Sequence, residues 1–332
     1  MSVIGNASRQ VAGAAGETVG TIPGFPRLVM ADGPAGVRVS PQFYRDSKGA
    51  HAVGRTALPE SMMELLPPVL QAGMQLLTGN DKPPKNAKIE THYATALPIG
   101  TALAQSWNTD LAHLCGQIAG AEMQQFGIHL WLAPALNIHR SIRCGRNFEY
   151  YSEDPILSGQ IAAAITNGVQ SCPGCGVTLK HYAANNQETN RYGNNSLISQ
   201  RALREIYLKG FGICIRKSHP VSVMTSYNLL NGTHTAERWD LCQDILRCEF
   251  GFDGILMTDW IVGIMTNNRK NRHPAVRPDH IAAAGGDLIM PGCPADFKAI
   301  CKGLKAGVVT RRQLEINISR LYRTAKKLTD SE

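Results

Sequence analysis

Six short apolar runs, each ending in polar residues or proline and separated by amphipathic helices, predict an α/β fold of the (β/α)8-type TIM barrel class. Runs of this length are typical of strands buried on both faces in a parallel sheet. The 332 residues suit one large barrel or two small domains, and 43% hydrophobic residues provide for a substantial core. Because a regular barrel has eight strands, either this barrel is irregular or two strands lack a recognisable signal.

The predicted strands follow one another along the chain, and each is followed at once, or after one residue, by a polar side chain or proline. They cover residues 28–31 before Asp32, 129–133 before Pro134, 177–179 before Lys180 and His181, 221–225 before Ser226 and Tyr227, 254–257 before Asp259, and 287–290 before Pro291. Because parallel barrel strands end at the same rim, these polar residues are expected to meet there.

Apolar stripes at helical spacing predict amphipathic helices between the strands. The first stripe is Leu111, Leu114, Cys115 and Ile118, with Asn108 and Gly127 as caps; the second is Leu203, Ile206, Tyr207 and Cys214; the third is Leu314, Ile318, Leu321 and Tyr322, capped by Thr310. Residues 40–95 do not fit the alternation and are predicted to be a long insertion after the first strand, with one helix over 62–77.

Composition excludes several classes of protein. The net charge is +8, but Lys and Arg are scattered and form no basic run interleaved with aromatic residues, so we expect no nucleic-acid partner. We also expect no membrane span, because no apolar run approaches the roughly 18–20 residues that a bilayer requires. The first residues show no signal-peptide pattern.

The cysteines and histidines argue against disulfides and metal. Nine cysteines, an odd number spread over residues 115–301, favour reduced thiols and a cytoplasmic location. Cys172 and Cys175 have C-x-x-C spacing, but they lie in a loop before a strand, which favours ordinary thiols. His129 and His139 flank a strand without a third ligand at useful spacing, so we expect no metal and no cofactor.

The expected rim residues form a set that could surround the hydroxyls of one sugar. They are Asp32, Lys180, His181, Tyr227 and Asp259, with Arg146 in a loop and Trp260 as a stacking face for a pyranose. Each has a structural alternative. Asp259 could cap a helix, Asp32 could belong to a turn, Lys180 and His181 could lie on the surface, Arg146 could pair with Glu149, Glu153 or Asp154, and Trp260 could be a core residue.

Eight segments in order carry a family resemblance: residues 30–38, 96–103, 133–140, 144–155, 179–188, 224–228, 251–260 and 284–291. Through them the chain resembles the barrel domain of glycoside hydrolase family 3, the β-glucosidase-type retaining exo-glycosidases. The resemblance implies hydrolysis of terminal β-D-glucosides, with Asp259 as the nucleophile. It also implies that Asp32, Arg146, Lys180, His181 and Tyr227 line the −1 subsite. A β-xylosidase or other β-glycosidase specificity, a sugar-binding remnant with little turnover and an interaction scaffold are the alternatives.

One part of the family pattern is missing. A retaining glycosidase needs a second carboxyl group about 5 Å from the nucleophile. The resemblance implies that this acid comes from an α/β-sandwich domain, for which residues 1–332 leave no room; residues 1–20 resemble the linker to that domain. We therefore expect a single barrel domain from a permuted two-domain enzyme, whose acid/base comes from a missing domain or a second chain.

Internal substitutes for that acid are weaker candidates. A single-domain branch of the family uses a loop His, but residues 182–188 lack its pattern. Glu149, Glu188 and Glu205 are the remaining internal carboxylates considered.

Overall fold

A computed structural model describes residues 2–5, 8–19, 24–53, 83–267 and 272–330. Its strands are Ser2–Gly5 (β1), Gly16–Val19 (β2), Val29–Ala31 (β3), Gln42–Asp46 (β4), Gly49–Ala52 (β5), Glu90–Thr91 (β6), Leu130–Trp131 (β7), Gly176–Tyr182 (β8), Asn195–Ser196 (β9), Ser222–Thr225 (β10), Leu229–Leu230 (β11), Thr233–His234 (β12), Ile255–Trp260 (β13) and Leu288–Met290 (β14).

Helices of three kinds lie between the strands. The α-helices are Gly100–Gln105 (α1), Thr109–Phe126 (α2), Pro155–Gln170 (α3), Gln200–Ala202 (α4), Lys209–Ser218 (α5), Val262–Thr266 (α6), Pro278–Ala283 (α7), Pro294–Lys305 (α8) and Arg311–Thr329 (α9). Short 3-10 helices occupy Asn147–Glu149 and Thr235–Glu237, and π-helical segments occupy Leu203–Tyr207 and Asp240–Glu249.

Eight of the strands close into a barrel in the order β1-β14-β13-β10-β8-β7-β3-β2, which confirms the predicted fold class. All six strands expected from the sequence are present, and neighbouring ones pair in parallel, for example Met30 beside Leu130 and Val223 beside Leu256. Two of them extend further than predicted. As a result Lys180 and His181 lie within β8, and Asp259 and Trp260 within β13.

The two strands that complete the barrel lie in the segment expected to resemble a linker. β1 pairs in parallel with β14, whereas β2 runs antiparallel to both β1 and β3. The described part of the connection between β1 and β2, residues 8–15, contains no helix. Instead Val11 and Ala14, in the connection between them, are buried in the outer core layer. These short strands lack the apolar runs that identify the others, and the barrel is irregular because β2 is reversed.

Alternating side chains along the strands form two core layers, as expected for a closed parallel sheet. Met30, Leu130, Met257 and Met290 belong to a cluster in the barrel interior. Their neighbours Val29, Trp131, Leu256 and others form the larger layer between the barrel and the surrounding helices. Asp259 lies near the C-terminal end of β13, where an irregularity between Met257 and Trp260 shifts the pairing with β14.

The predicted caps are confirmed, but the buried helix faces are shifted. The Asn108 side chain accepts hydrogen bonds from the first turn of α2, Gly127 ends this helix with φ +73°, and Thr310 caps α9. However, Leu111 and Leu114 are exposed, and Ala112, Cys115, Gly116, Ala119 and Met123 form the buried face instead. Ile206 and Tyr322 are likewise exposed. Leu111 and Leu114 are exposed because the other face of α2 lies close against α3. Gly116 is beside Gly168 there, and only small side chains fit between the two helices.

The insertion after β3 begins and ends in a small antiparallel sheet of order β5-β4-β6. At its base Phe43 pairs with Glu90, and the amide of His92 donates to the carbonyl of Pro41. Beyond the sheet, the Leu97 amide donates to the carbonyl of Ala35, in the loop that follows Asp32. The helix predicted over 62–77 lies outside the described residues.

Candidate active site

Asp259 lies at the C-terminal rim of the barrel, and one of its two carboxylate oxygens accepts no hydrogen bond from the described residues. Its side chain is 7% exposed. Oδ1 accepts a hydrogen bond of 2.7 Å from the Trp260 amide, while Oδ2 is buried without a hydrogen-bond partner among the described residues. His181 Nε2 lies 3.8 Å from Oδ2. The helix-capping alternative is therefore wrong, because Asp259 lies inside a strand and no helix amide binds its free oxygen.

The ionisation of Asp259 is a balance between burial and nearby cations. Burial raises its pKa, whereas Arg146, Arg191 and Lys180 and the Trp260 amide lower it; the net shift is upward. Lys180 and Arg146 thus favour the ionised carboxylate, but burial has the larger effect on the pKa. Desolvation outweighs attraction because none of these cations contacts the carboxylate directly.

Asp32 and Lys180 form a partly buried ion pair across the barrel mouth. Lys180 Nζ donates to Asp32 Oδ1 and Arg38 Nη2 donates to Oδ2, each over 2.7 Å. Burial alone would raise the pKa of Asp32, but Lys180 and Arg38 more than compensate and hold this pKa well below its usual range. Asp32 stays ionised, and Lys180 is 3% exposed rather than on the surface.

The Asn137 side chain forms hydrogen bonds with both the backbone carbonyl and the backbone amide of His181. The Asn137 amide nitrogen donates to the His181 carbonyl over 2.8 Å, and its oxygen accepts from the His181 amide over 2.9 Å. Burial first, then Arg146, Lys180 and Arg191, keep the pKa of His181 well below its ordinary value. The imidazole beside Asp259 is therefore neutral, and its contact with the carboxylate is not an ion pair.

Arg146 forms a structural ion pair and also lowers the pKa of Asp259. Its Nε is hydrogen-bonded to Glu149, which is the structural pair anticipated for it. It is also the strongest of the cations that lower the Asp259 pKa. The turn Asn147–Glu149 follows Arg146 directly, so the ion pair closes over this turn. Glu153 and Asp154 are not its partners in the structure.

A hydrogen bond links the side chain of Tyr227 to the backbone of Trp260. The Tyr227 hydroxyl donates to the Trp260 carbonyl over 2.8 Å, one residue beyond Asp259, and does not bind the carboxylate itself. Trp260 is partly buried and packs on the interior cluster, so the stacking and core interpretations both describe part of its surface.

Several residues at the rim were not predicted. Arg191 forms an ion pair with Glu188 at 2.9 Å, and its guanidinium lies over the rings of Tyr192 and Tyr227 at 4.8 and 5.1 Å from their centroids. Asn137 and Arg38 were also missed as site residues, although both lie within recognised segments. The i,i+3 spacing of Glu188 and Arg191 was the available signal for that pair.

The three internal carboxylates considered as acids are all engaged. Glu149 binds Arg146, Glu188 binds Arg191, and Glu205 pairs with Arg201 on an exposed helical surface. In the described parts of the chain, no group of three or more His, Cys, Asp or Glu side chains could hold a metal ion. None of the helices within those parts is both long and apolar enough to cross a membrane.

A barrel of this kind, with a buried carboxylate and paired polar side chains at its C-terminal rim, is typical of enzymes that act on carbohydrates. The chain belongs to glycosyl hydrolase family 3, because the model of that family's N-terminal domain matches residues 73–324. This finding confirms the family resemblance seen in the sequence.

Known relatives agree with this assignment. Over 225 residues, 67% of this chain and 25% of the relative, the chain is 41% identical to "Beta-glucosidase B" of Emericella nidulans. It is 48% identical to "Exo-alpha-(1->6)-L-arabinopyranosidase" of Bifidobacterium longum over 167 residues, 50% of this chain and 22% of the relative. The structure of β-glucosidase 3B from Thermotoga neapolitana in complex with glucose matches 99% of this chain and 41% of its own, at 37% identity and a TM-score of 0.76. The chain thus spans less than half of these relatives.

Proposed function

We propose that this chain is the barrel of a retaining exo-glycosidase that hydrolyses terminal β-D-glucosides through a covalent intermediate on Asp259. The observation that carries the proposal is the buried Asp259 Oδ2, which has no hydrogen-bond partner among the described residues. The carboxylates of Asp32, Glu149 and Glu188 are each bound by a cation. Asp259 is therefore the one of these four carboxylates that no described Lys or Arg side chain binds directly, and its Oδ2 is available to attack a sugar carbon.

The residues around Asp259 suit the −1 subsite. Asp32 is ionised and can accept from two vicinal hydroxyls, while Lys180 and the neutral His181 can donate to others. Arg146 adds positive potential beside the nucleophile, and the exposed part of Trp260 offers an apolar face to the pyranose ring. Contacts to the hydroxyl beside the anomeric carbon strengthen as an oxocarbenium-like transition state forms.

The proposed reaction has two steps. Asp259 Oδ2 bonds to the anomeric carbon as the bond to the aglycone oxygen breaks, and that oxygen takes a proton from a general acid. Water then attacks the anomeric carbon on the opposite side from Asp259, gives a proton to the same group, and releases the sugar with its configuration retained. We propose that this group belongs to a separate α/β-sandwich domain or a second chain, because Glu149, Glu188 and Glu205 are all in ion pairs.

Glucose is the proposed sugar because relatives across bacteria and fungi carry the name β-glucosidase. The arabinopyranosidase among the relatives makes a β-xylosidase or another glycosidase specificity the alternative. A sugar-binding remnant with little turnover is a second candidate, because Glu149, Glu188 and Glu205 are all in ion pairs.

Leaving-group dependence tests the proposal directly. Dinitrophenolate leaves without protonation, so the chain alone should release it from 2,4-dinitrophenyl β-D-glucoside while failing to cleave cellobiose. Mass spectrometry should find one glucosyl adduct, on a peptide containing Asp259. Asp259→Asn should abolish both signals, and Asp253→Asn, an exposed carboxylate shortly before the same strand, should preserve them.

Binding of glucose without dinitrophenolate release or an adduct would instead support the remnant. Faster release from the corresponding xyloside or arabinopyranoside would reassign the sugar. Cleavage of cellobiose by the chain alone would contradict an acid supplied from elsewhere.

We also propose a cytoplasmic location. No disulfide joins the nine cysteines, all of which lie in the described residues; five are buried, two are partly buried and two are exposed, and this fits a reducing compartment. Thiol counting on protein isolated under alkylating conditions should then find nine reduced cysteines.

A further inference from the structure

His234 is a buried histidine that contacts two separate backbone segments beside the site. Its side chain lies at the end of β12 and is 4% exposed. Nδ1 lies 3.2 Å from the carbonyl oxygen of Tyr227, and Nε2 lies 3.1 Å from the carbonyl oxygen of Pro274. Both partners are acceptors, and burial lowers the pKa of His234, so the neutral ring carries one N–H and donates to one of the two carbonyls. The two contacts place the ring between the end of β10 and the segment that returns after α6.

Thr235 strengthens the same connection. Its hydroxyl donates to the Ser226 carbonyl over 2.7 Å and lies 3.2 Å from the Ser226 amide, which donates to it. Two adjacent side chains thus bind two adjacent backbone positions, Ser226 and Tyr227. The turn Thr235–Glu237 is tied to the returning segment a second time, because the Arg277 amide donates to Glu237.

From Tyr227 the connection continues to the proposed nucleophile. The Tyr227 hydroxyl donates to the Trp260 carbonyl over 2.8 Å, and the Trp260 amide donates to Asp259 Oδ1 over 2.7 Å. A shift of the Tyr227 backbone would therefore move the peptide that holds Asp259. Because Asp259 Oδ2 has no hydrogen-bond partner in the described residues, the Oδ1 contact carries much of its orientation.

We propose that His234 is a positioning residue: through its contact with the Tyr227 carbonyl it fixes the Tyr227–Trp260 hydrogen bond, and so the attack geometry of Asp259. The catalytic part of this inference rests on the proposed function. His234 itself touches no reacting atom.

Two isosteric substitutions separate the two contacts of the ring. An Asn side chain places its amide nitrogen near the position of Nδ1, whereas a Gln side chain places its amide nitrogen near that of Nε2. With Nδ1 as the ring's donor, His234→Asn keeps the hydrogen bond to the Tyr227 carbonyl and loses the contact with Pro274. His234→Gln does the reverse, and His234→Ala loses both.

The experiment measures single-turnover release of dinitrophenolate from 2,4-dinitrophenyl β-D-glucoside by the full chain. We expect H234Q and H234A to react about tenfold more slowly at saturating substrate with little change in KM, and H234N to recover most of the lost rate. His129→Gln is the matched control, because His129 is equally buried but precedes β7 at the opposite end of the barrel. It should lose stability without a change in rate.

A double-mutant cycle adds the decisive comparison. In the Tyr227→Phe background, which already lacks the hydroxyl, H234Q should cause no further loss of rate. Equal rates for H234N and H234Q, or a full additional loss in the Tyr227→Phe background, would overturn the inference.

A structural readout separates this inference from the proposed function. If the wild-type chain releases no dinitrophenolate, the proposed function fails, and crystal structures of the two variants still decide the positioning role. Retention of the Tyr227–Trp260 hydrogen bond in H234N with its loss in H234Q supports positioning. Its retention in both overturns it.

Discussion

Lys180 Nζ lies 2.7 Å from Asp32 Oδ1, and this pair joins β8 to the end of β3 across the barrel mouth. The Lys180 side chain is 4% exposed and the Asp32 side chain 23% exposed, so the ammonium is almost wholly removed from water and the carboxylate in part. A pair in this setting contributes little when intact relative to an apolar pair, but removing one partner leaves a buried charge uncompensated. The first prediction follows from this asymmetry.

Replacing Asp32 with Asn should lower the free energy of unfolding by about 3–5 kcal/mol at pH 7, because Lys180 loses its anionic partner. The folded-state pKa of Asp32 lies below its unfolded value, so its stabilisation is present above about pH 4 and is lost as the pH falls further. Urea denaturation from pH 2.5 to 7 should show the wild type and D32N converging in acid. A constant difference across this range would contradict the role of ionised Asp32.

Asp287 should make stability depend on pH in the opposite direction. Burial raises its pKa to about 6, although Arg247 and Arg320 lower it. The folded state then holds a proton that the unfolded state releases near pH 4, so the free energy of unfolding should fall between about pH 4 and 6, by on the order of 2–3 kcal/mol. Asp287→Asn should remove this slope in urea titrations. It should also destabilise the protein at pH 7, because Arg247 loses its carboxylate partner at 2.8 Å. Exposed Asp253→Asn should leave the slope intact.

Removing the Tyr227 hydroxyl should affect rate more than stability. Tyr227→Phe deletes the hydrogen bond to the Trp260 carbonyl, and the orientation of Asp259 should become less restricted. We expect dinitrophenolate release to slow about tenfold, with a loss of about 1 kcal/mol in the free energy of unfolding. Tyr322→Phe, on the exposed surface of α9, is the control and should change neither quantity. An unchanged rate for Y227F would show that Trp260 is held without Tyr227.

Two glycine-to-alanine substitutions should change the stability of the fold in opposite directions. A Cβ on Gly168 of α3 would lie 2.9 Å from Gly116 Cα in α2, where only backbone surrounds it. Gly168→Ala should therefore cost about 1–3 kcal/mol or more in stability. At Gly263 in α6 the nearest atom to an added Cβ is 3.9 Å away, so Gly263→Ala should gain up to about 1 kcal/mol from helix propensity. Thermal and urea unfolding of both variants would check the difference.

Features of the fold that depend on nearby residues could be predicted from the sequence, whereas features that depend on long-range packing could not. The strand ending in Asp259 has an apolar run that stands out locally, and Asn108 and Gly127 cap α2 by interactions within a few residues. By contrast, β1 and β2 are defined only by pairing with β14 and β3. The exposed positions of Leu111 and Leu114 depend on how closely α2 approaches α3, which helical spacing alone does not report.

The candidate site shows the same division. Strand ends identified Asp32, Lys180, His181 and Asp259 because parallel strands share a rim. Arg191 was missed because it reaches the site from a loop, and its contact with Tyr227 joins residues 36 positions apart. The net upward shift of the Asp259 pKa was missed because burial cannot be read from which charges are nearby.

The sheet at the base of the insertion has an evolutionary consequence. Pairing of β4 with β6 brings the two ends of the insertion together before the chain returns to the loop after Asp32. Selection can therefore exchange, lengthen or shorten whatever lies beyond that sheet without displacing Asp32. At this sheet, relatives could acquire new substrate preferences by changing the inserted segment, while the ancestral chemistry is inherited unchanged.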